Sequence, residues 1–196
     1  MDTHSSRLTF EPVTHTYWHD GVVVPSVTQV LDRAGLYSFG GVSREVMERA
    51  GALGRAVHEA CHMDDENDLD EAALDPVLLG YLEAWRSFRA EKIDTIIAIE
   101  RRVYHEKHRF AGTFDRLAVL KAAKQEEWLL DLKSGTRQRA AGPQTAAYAN
   151  AHGKPHIKRA SVHLNFDGTW SLLPHRGLSD WTVFLAALTI VNWRDK

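Results

Sequence analysis

Alternating apolar and polar positions predict a β-hairpin in the middle of the chain. Its two apolar-rich strands cover residues 112–120 and 127–133, and a short polar turn joins them. Because successive side chains of a strand alternate between its faces, Asp131 and Lys133 are expected on the same face. The hairpin pairing would place Asp115 across from Asp131. The pattern therefore predicts two carboxylates close to one ammonium group.

The rest of the chain alternates between helical and extended apolar periodicity. Predicted helices cover 26–34, 43–62, 76–91, a segment that begins at 142, and 179–194. Predicted strands outside the central hairpin lie within 7–24, where Asp20-Gly21 forms a turn, and over 93–104, 157–166 and 169–174. Strands and helices in this order are typical of an α/β or α+β fold, with a central mixed sheet flanked by helices and an N-terminal β-hairpin.

Charge is distributed unevenly along the chain. The net charge is −2, but residues 101–160 hold 13 Lys and Arg against 5 Asp and Glu. Residues 64–75 hold seven acids and no base, which predicts a solvated loop. A basic region around the two aspartates would attract a polyanion such as a nucleic acid, and a solvated charged face is the alternative.

Composition excludes several classes of protein. Cys61 is the only cysteine, so a disulfide within the chain and a cysteine-based zinc or iron–sulfur site are excluded. No apolar run approaches the roughly 20 residues that a transmembrane helix needs. The first residues show neither a signal-peptide nor a transit-peptide pattern. The expected location is the cytoplasm of a bacterium or of a phage-infected host cell.

The two aspartates carry a chemical implication of their own. Carboxylates a few ångströms apart raise each other's pKa, and Lys133 neutralises only part of their charge. A hard divalent cation such as Mg²⁺ or Mn²⁺ resolves the repulsion, and phosphate is its usual substrate partner. The alternative is that Asp115 only marks a strand start and that Asp131 and Lys133 form an exposed strand end.

The long second helix permits two chemical interpretations. His58, Glu59 and His62 match H-E-x-x-H, in which two histidines bind zinc and the glutamate is the base of a peptidase. The acidic segment that follows could supply a third zinc ligand. Alternatively, Gly54 permits close packing and His58 points into a carboxylate site as a metal ligand. A third, structural interpretation makes both histidines satisfied surface or core residues, and it is the preferred one for His62.

Two further positions are candidates for supporting roles. Glu100 is an acid among apolar neighbours in the strand before Asp115, where it would be an outer carboxylate or a group on the DNA side. It could equally pair with Arg101 or Arg116 on the sheet. Ser26 lies at a helix start, where it would cap the helix or bind a phosphate.

The segment after the central hairpin is polar and basic. Ser134, Thr136 and Arg137 belong to a loop of the kind that contacts phosphates. Gln144 and Tyr148 lie four residues apart and therefore on one face of the next helix.

Four motifs in this chain resemble the RecB-like exonuclease branch of the PD-(D/E)xK nuclease superfamily. They are G-x-x-x-H at Gly54 to His58, G-T-F-D at Gly112 to Asp115, D-L-K at Asp131 to Lys133, and Q-x-x-x-Y at Gln144 to Tyr148. The opening H-x-Y and P-S-V-T segments and the aromatic terminal helix are similar to mitochondrial genome maintenance exonucleases and phage exonucleases. The chain lacks the cysteines of the iron–sulfur members of that branch.

The resemblance implies a restriction-endonuclease-like core and a metal-dependent DNA exonuclease. Asp115, Asp131, the backbone carbonyl of Leu132 and His58 would bind Mg²⁺ or Mn²⁺. Lys133 would orient the attacking water and help to deprotonate it. A DNA-binding module with an inactive site and the zinc peptidase remain the alternatives.

The resemblance also implies roles for the surroundings of the site. Gln144 and Tyr148 would hold the DNA strand or brace the site. The substrate would be DNA that is single-stranded or has free ends, and a recombination or single-strand-binding protein is a candidate partner. Residues 1–196 would form a single nuclease domain, in which 1–42 are the hairpin and short helix and 43–196 the catalytic core.

Overall fold

The computed structural model describes residues 7–37, 41, 43–122 and 125–195. The strands within these residues are β1 Leu8–Glu11, β2 Thr16–His19, β3 Val22–Val24, β4 Ile93–His105, β5 Phe110–Leu120, β6 Glu127–Lys133, β7 Lys158–Leu164 and β8 Trp170–Pro174. The helices are α1 Val27–Arg33, α2 Arg44–Glu66, α3 Leu79–Lys92, α4 Ala141–Ala151 and α5 Asp180–Arg194. No helix in this part of the chain has the length and apolar character needed to cross a membrane.

The larger sheet is mixed, as the sequence predicts. Its five strands are ordered β4-β5-β6-β7-β8. Strands β6 and β7 are parallel and the other neighbours are antiparallel. Parallel neighbours require a crossover connection, and α4 supplies it. The fold is α+β, with helices on both faces of the sheet.

Two apolar cores lie on opposite faces of this sheet. Helices α2 and α3 cover one face, where Trp85 and Phe88 pack against Leu132. Helices α1, α4 and α5 cover the other face, where Phe184 packs in the same cluster as Leu129. Each such buried side chain contributes about 1.5–3 kcal/mol. Leu132 therefore points to the opposite face of the sheet from Asp131 and Lys133, its neighbours in β6, as the alternation predicts.

The central hairpin forms with the predicted pairing. Arg116 is paired with Leu130 in the antiparallel β5–β6 register. Continuing this register by one residue brings Asp115 beside Asp131. The pairing is fixed by apolar residues on both faces of the two strands, because a slip of one residue would turn every side chain to the wrong face.

A three-stranded sheet forms the N-terminal part of the fold. The hairpin at Asp20 and Gly21 is present, and β1 adds a third strand to it. The Tyr17 hydroxyl and the Thr113 hydroxyl are 2.8 Å apart, and Ala111 donates a backbone hydrogen bond to Pro25. These contacts hold the N-terminal sheet on β5, next to the G-T-F-D segment.

The prediction of a solvated loop over 64–75 is only partly correct. Most of these residues are exposed, but helix α2 continues to Glu66, and short 3₁₀ turns form at Glu71–Ala73 and Pro76–Leu78. Asp64 is buried and pairs with Arg86, and the fully buried Asp65 carboxylate pairs with Arg116. The arginines come from α3 and β5, so a local count of charge cannot detect that these acids are neutralised in the interior.

Candidate metal centre

Three side chains from three different elements meet beside the middle of β5. Ligand atoms of His58 on α2, Glu100 on β4 and Asp115 on β5 all lie within 4.8 Å of one another. No other group of three potential metal ligands of this kind occurs among the residues that the structure describes. The group has one imidazole and two carboxylates, which is the donor chemistry of a divalent cation site.

His58 faces hydrogen-bond acceptors with both ring nitrogens. Its Nε2 lies 3.0 Å from the Leu132 carbonyl oxygen, and its Nδ1 lies 3.4 Å from Asp115 Oδ1. Burial alone would lower the pKa of His58, but the Asp115 carboxylate outweighs it and the pKa is raised. The Asp115 carboxylate therefore stabilises the charged form of an imidazole that lies between two oxygens.

Asp115 is held in place from both sides. Its Oδ2 accepts a hydrogen bond from the Leu132 backbone N–H at 2.5 Å. Burial raises the pKa of Asp115, yet the charges of His58 and Lys133 reverse this effect and the pKa falls below its ordinary value. Asp115 is accordingly an ionised carboxylate with one oxygen directed at His58.

Glu100 reaches the group through an unusual backbone conformation. Its φ of +45° lies in the left-handed region, in the middle of β4. The register skips this residue between the pairs Ile99–Arg116 and Arg101–Phe114. A left-handed conformation costs a non-glycine residue about 1–2 kcal/mol. Strain of this kind concentrates at functional sites, where the surrounding structure maintains it.

The charge of Glu100 depends on its neighbours. Burial and the Asp115 carboxylate raise the pKa of Glu100 to about 7, although His58 and Arg116 oppose the shift. Arg116 Nη1 lies 3.3 Å from a Glu100 carboxylate oxygen. The pairing with Arg116 and membership of the metal-ligand group, which the sequence left as alternatives, therefore occur together.

Asp131, which is buried, and Lys133, which is half-buried, form an ion pair beside this group. Their oxygen and nitrogen are 2.8 Å apart. Burial raises the pKa of Asp131, whereas for Lys133 the charges of Asp131 and Asp115 outweigh burial and also raise the pKa. Lys133 is thus an ammonium that donates hydrogen bonds. Asp131 lies next to Lys133 and outside the compact group that contains Glu100.

The Q-x-x-x-Y residues extend the polar network from Lys133. Lys133 donates to Gln144 Oε1 at 3.1 Å, and Gln144 Nε2 donates to the Tyr148 hydroxyl at 3.2 Å. Tyr148 packs directly on Gly112, where a Cβ would lie 2.5 Å from the Tyr148 Cε1. Of the two roles expected for Gln144 and Tyr148, these contacts favour bracing of the site.

Two supporting residues were missed by sequence reasoning. Tyr37 is half-buried near the ion pair, and its partial burial raises its pKa to about 12 while Lys133 opposes the shift. Arg116, considered only as a partner of Glu100, also donates to the Asp115 carbonyl at 2.7 Å and lies 2.6 Å from Asp65. Arginine next to the aspartate of the G-T-F-D segment was the available signal for Arg116; Tyr37 carried none.

The remaining candidates lie outside the compact group. Ser26 is buried and its hydroxyl accepts from the Gln29 N–H at 3.1 Å, so it caps α1 and is committed to that role. Ser134 is half-buried and Thr136 is exposed. Arg137 is exposed and donates to Ser171 Oγ at 3.3 Å.

Close packing does not explain the glycine of the G-x-x-x-H segment. A Cβ at Gly54 would lie 3.6 Å from Ser134 Oγ, which is an ordinary van der Waals contact. The expectation that Gly54 is needed for close approach is therefore wrong. An alanine fits at this position in the present structure.

The histidines of the H-E-x-x-H pattern do not share a ligand group. His62 Nε2 lies 3.5 Å from the Glu66 carboxylate, and Glu59 is exposed. The compact group contains His58 and leaves out His62. In the described part of the chain, the zinc-peptidase ligand set is consequently not assembled.

The donor set of the compact group suits a hard divalent cation. His58 supplies one nitrogen ligand. Asp115 and Glu100 add oxygen ligands, which Mg²⁺ and Mn²⁺ prefer. Asp131 lies in the other strand of the same hairpin, next to Lys133.

No protein-family model matches the chain, and no curated protein matches it in sequence. A function for this chain must therefore be inferred from the chemistry and geometry of the candidate metal centre.

Proposed function

We propose that this chain is a Mg²⁺- or Mn²⁺-dependent deoxyribonuclease that acts as an exonuclease. One observation carries the proposal: His58, Glu100 and Asp115 bring ligand atoms within 4.8 Å of one another beside the partly buried Lys133–Asp131 pair. A cation site next to a fixed ammonium group suits the hydrolysis of a phosphodiester, because both charges stabilise the negative charge that develops on phosphorus-bound oxygens.

Each residue of the site would have its own role in the reaction. His58, Asp115, Asp131 and the Leu132 carbonyl would hold the cation, with Glu100 as a further carboxylate. When bound, the cation supplies Lewis acidity at the phosphate and lowers the pKa of a coordinated water.

Lys133 would orient the attacking water by donating a hydrogen bond to it. Asp131 and Gln144 hold the Lys133 ammonium from two sides, at 2.8 Å and 3.1 Å. This fixed geometry reduces the reorganisation needed in the transition state. Removal of a proton by Lys133 would require the ion pair with Asp131 to loosen first.

DNA is the proposed substrate because of the charge distribution. Residues 101–160, which include Asp115 and Lys133, hold 13 Lys and Arg against 5 Asp and Glu. Such an excess attracts a polyanion and makes binding dependent on salt. We also propose that the DNA is single-stranded or has free ends. The proposed role is in recombination, repair or replication, and the proposed partner is a recombination or single-strand-binding protein.

The test is loss of DNA cleavage in an isosteric variant of the site. Asp131→Asn and Asp115→Asn are each expected to reduce cleavage of end-labelled DNA by about a hundredfold or more, because a charged contact to the reacting centre is lost. Cleavage by the unsubstituted protein should require Mg²⁺ or Mn²⁺ and stop with chelator. Circular dichroism would verify that the variants are folded.

His62→Gln is the matched control for this test. A nuclease should keep its cleavage rate in this variant, whereas a zinc peptidase built on His58 and His62 would lose proteolysis. Linear and closed circular DNA, compared in the same assay, separate an exonuclease from an endonuclease. Asp131→Asn protein that cuts DNA at the unsubstituted rate contradicts the proposal.

A further inference from the structure

A second basic cleft lies outside the candidate metal centre. It has a volume of about 330 Å³ and separates the loop that follows β6 from the segment between β8 and α5. Its lining includes four polar or charged side chains from the two walls: Arg137, Arg139, Arg176 and Asp180. The cleft joins parts of the chain that are nearly 40 positions apart, so the sequence alone does not reveal it.

Two guanidinium groups in this cleft are free. Arg139 and Arg176 are exposed, and neither makes a hydrogen bond or an ion pair with any residue that the structure describes. Asp180, the acid of the cleft, is already engaged by Arg159 at 3.1 Å. Together with Arg137, the free arginines leave an excess of positive charge in a concave surface.

The walls of the cleft are held in fixed positions. A Cβ at Gly177 would lie 2.5 Å from Asp180 Oδ1, and one at Gly142 would lie 2.8 Å from the same atom. The first turn of α4 and the segment before α5 therefore both pack directly on the Asp180 carboxylate. The backbone N–H of His175 donates to the Arg159 carbonyl at 2.8 Å. Arg139 and Arg176 thus project from anchored backbone.

The cleft lies on the same face of the sheet as Lys133. Lys133 is level with His163 in β7, and His163 is level with Ser171 in β8. Arg137 donates to Ser171 and so extends across this row. Two strand spacings, roughly 10 Å in total, separate Lys133 from the β8 wall. This distance corresponds to a few nucleotides along a DNA strand.

We infer that this cleft is a second phosphate-binding subsite, which holds a phosphate group of the DNA strand while another phosphate lies at the metal centre. The inference rests on the proposed function. Guanidinium groups match phosphate oxygens in shape and charge and bind them with paired hydrogen bonds. The occupant is either a phosphodiester within the strand or a phosphomonoester at its end.

The test uses binding without cleavage. Affinity of the unsubstituted protein and of Arg139→Gln/Arg176→Gln for a fluorescent single-stranded oligonucleotide is measured in chelator over a series of salt concentrations. The double variant is expected to bind about tenfold more weakly. The slope of log affinity against log salt concentration should be smaller in magnitude by about 1.4 in the double variant. This is the value for two lost phosphate contacts to single-stranded DNA.

Lys121→Gln/Arg194→Gln is the matched control. It removes the same charge from two exposed positions. Lys121 follows the end of β5 remote from Asp115, and Arg194 lies at the end of α5 about 20 Å from the cleft. The control should lose less affinity and keep a steeper salt dependence than the double variant. Equal losses in both would mean that the cleft is no specific subsite.

Oligonucleotides with a 5′-phosphate, a 3′-phosphate or no terminal phosphate identify the occupant. If the variant loses affinity for all three equally, the subsite holds an internal phosphodiester; a loss confined to one end-phosphorylated strand identifies a terminal phosphate. Unchanged affinity and salt dependence overturn the subsite, even if the unsubstituted protein cleaves DNA. Failure of cleavage with a retained effect on binding overturns the nuclease proposal alone.

Discussion

A single missing methyl group at position 112 sets the position of Tyr148. A Cβ there would lie 2.5 Å from Tyr148 Cε1 and 3.3 Å from Val27 Cγ2. Gly112→Ala is expected to destabilise the fold by about 1–3 kcal/mol, because the tyrosine ring must move within a packed core. The shift would also disturb the hydrogen bond from Gln144, so DNA cleavage should fall. Urea unfolding and the cleavage assay measure the two effects.

Gly54→Ala is the control for this substitution. The added Cβ there meets Ser134 Oγ at an ordinary 3.6 Å, so the free energy of unfolding should hardly change. If Gly112→Ala were as stable as the Gly54→Ala protein, the packing of Tyr148 on Gly112 would have no energetic importance.

Individual side chains show which parts of the site can be predicted from the alternation of side chains along a strand. It correctly predicts that Asp131 and Lys133 share a face, because the period of a strand is fixed by its backbone. The participation of Glu100 in the compact group depends on one left-handed residue, and a pattern of apolar positions carries no information about it. Tyr37 reaches Lys133 only through the packing of the segment after α1, which is a tertiary effect.

At the scale of elements, one buried ion pair connects α2 to β5. The side chains of Asp65 and Arg116 are fully buried with a separation of 2.6 Å, and Arg116 also contacts Glu100. Asp65→Asn is expected to cost up to about 3–5 kcal/mol of unfolding free energy, because Arg116 keeps its buried charge and loses the nearer of its two acidic partners, the other being the half-buried Glu100. Chemical denaturation would measure this loss.

The same change at Asp68, an exposed residue just after α2, serves as the control. Asp68→Asn should alter stability by less than about 0.5 kcal/mol. A similar small effect of Asp65→Asn would show that the buried pair does not hold the two elements together.

Most elements were predictable because their apolar periodicity agrees with their tertiary environment. Strand β6 and helices α1 and α5 begin and end within about one or two residues of the predicted limits. The exception is the end of α2. Acids in its last turn predict solvent, but Arg86, Arg89 and Arg116 from other elements surround Asp64 and Asp65. Long-range ion pairs of this kind are invisible to local composition.

For the whole molecule, acid stability should depend on His175. Burial and the charge of Arg159 lower the pKa of His175 to about 4, although Asp180 opposes them. Because the folded-state pKa lies below the unfolded value of about 6.5, His175 contributes stability above pH 6.5 that is lost as the pH falls toward 4. Unfolding free energies at pH 7 and pH 5 measure this loss.

His175→Gln removes the titrating group and keeps a polar side chain near Ser161. The variant should lose less stability than the unsubstituted protein between pH 7 and pH 5, whatever its stability at pH 7. An identical pH dependence in both proteins would show that His175 is not buried in its neutral form.

The left-handed backbone at Glu100 has a consequence for protein engineering. A glycine at position 100 would adopt this φ without the steric cost, so a design that seeks only thermal resistance would place glycine there. The same exchange would remove the carboxylate beside His58 and Asp115 and a partner of Arg116, so thermal resistance and the compact group make opposing demands on this one position.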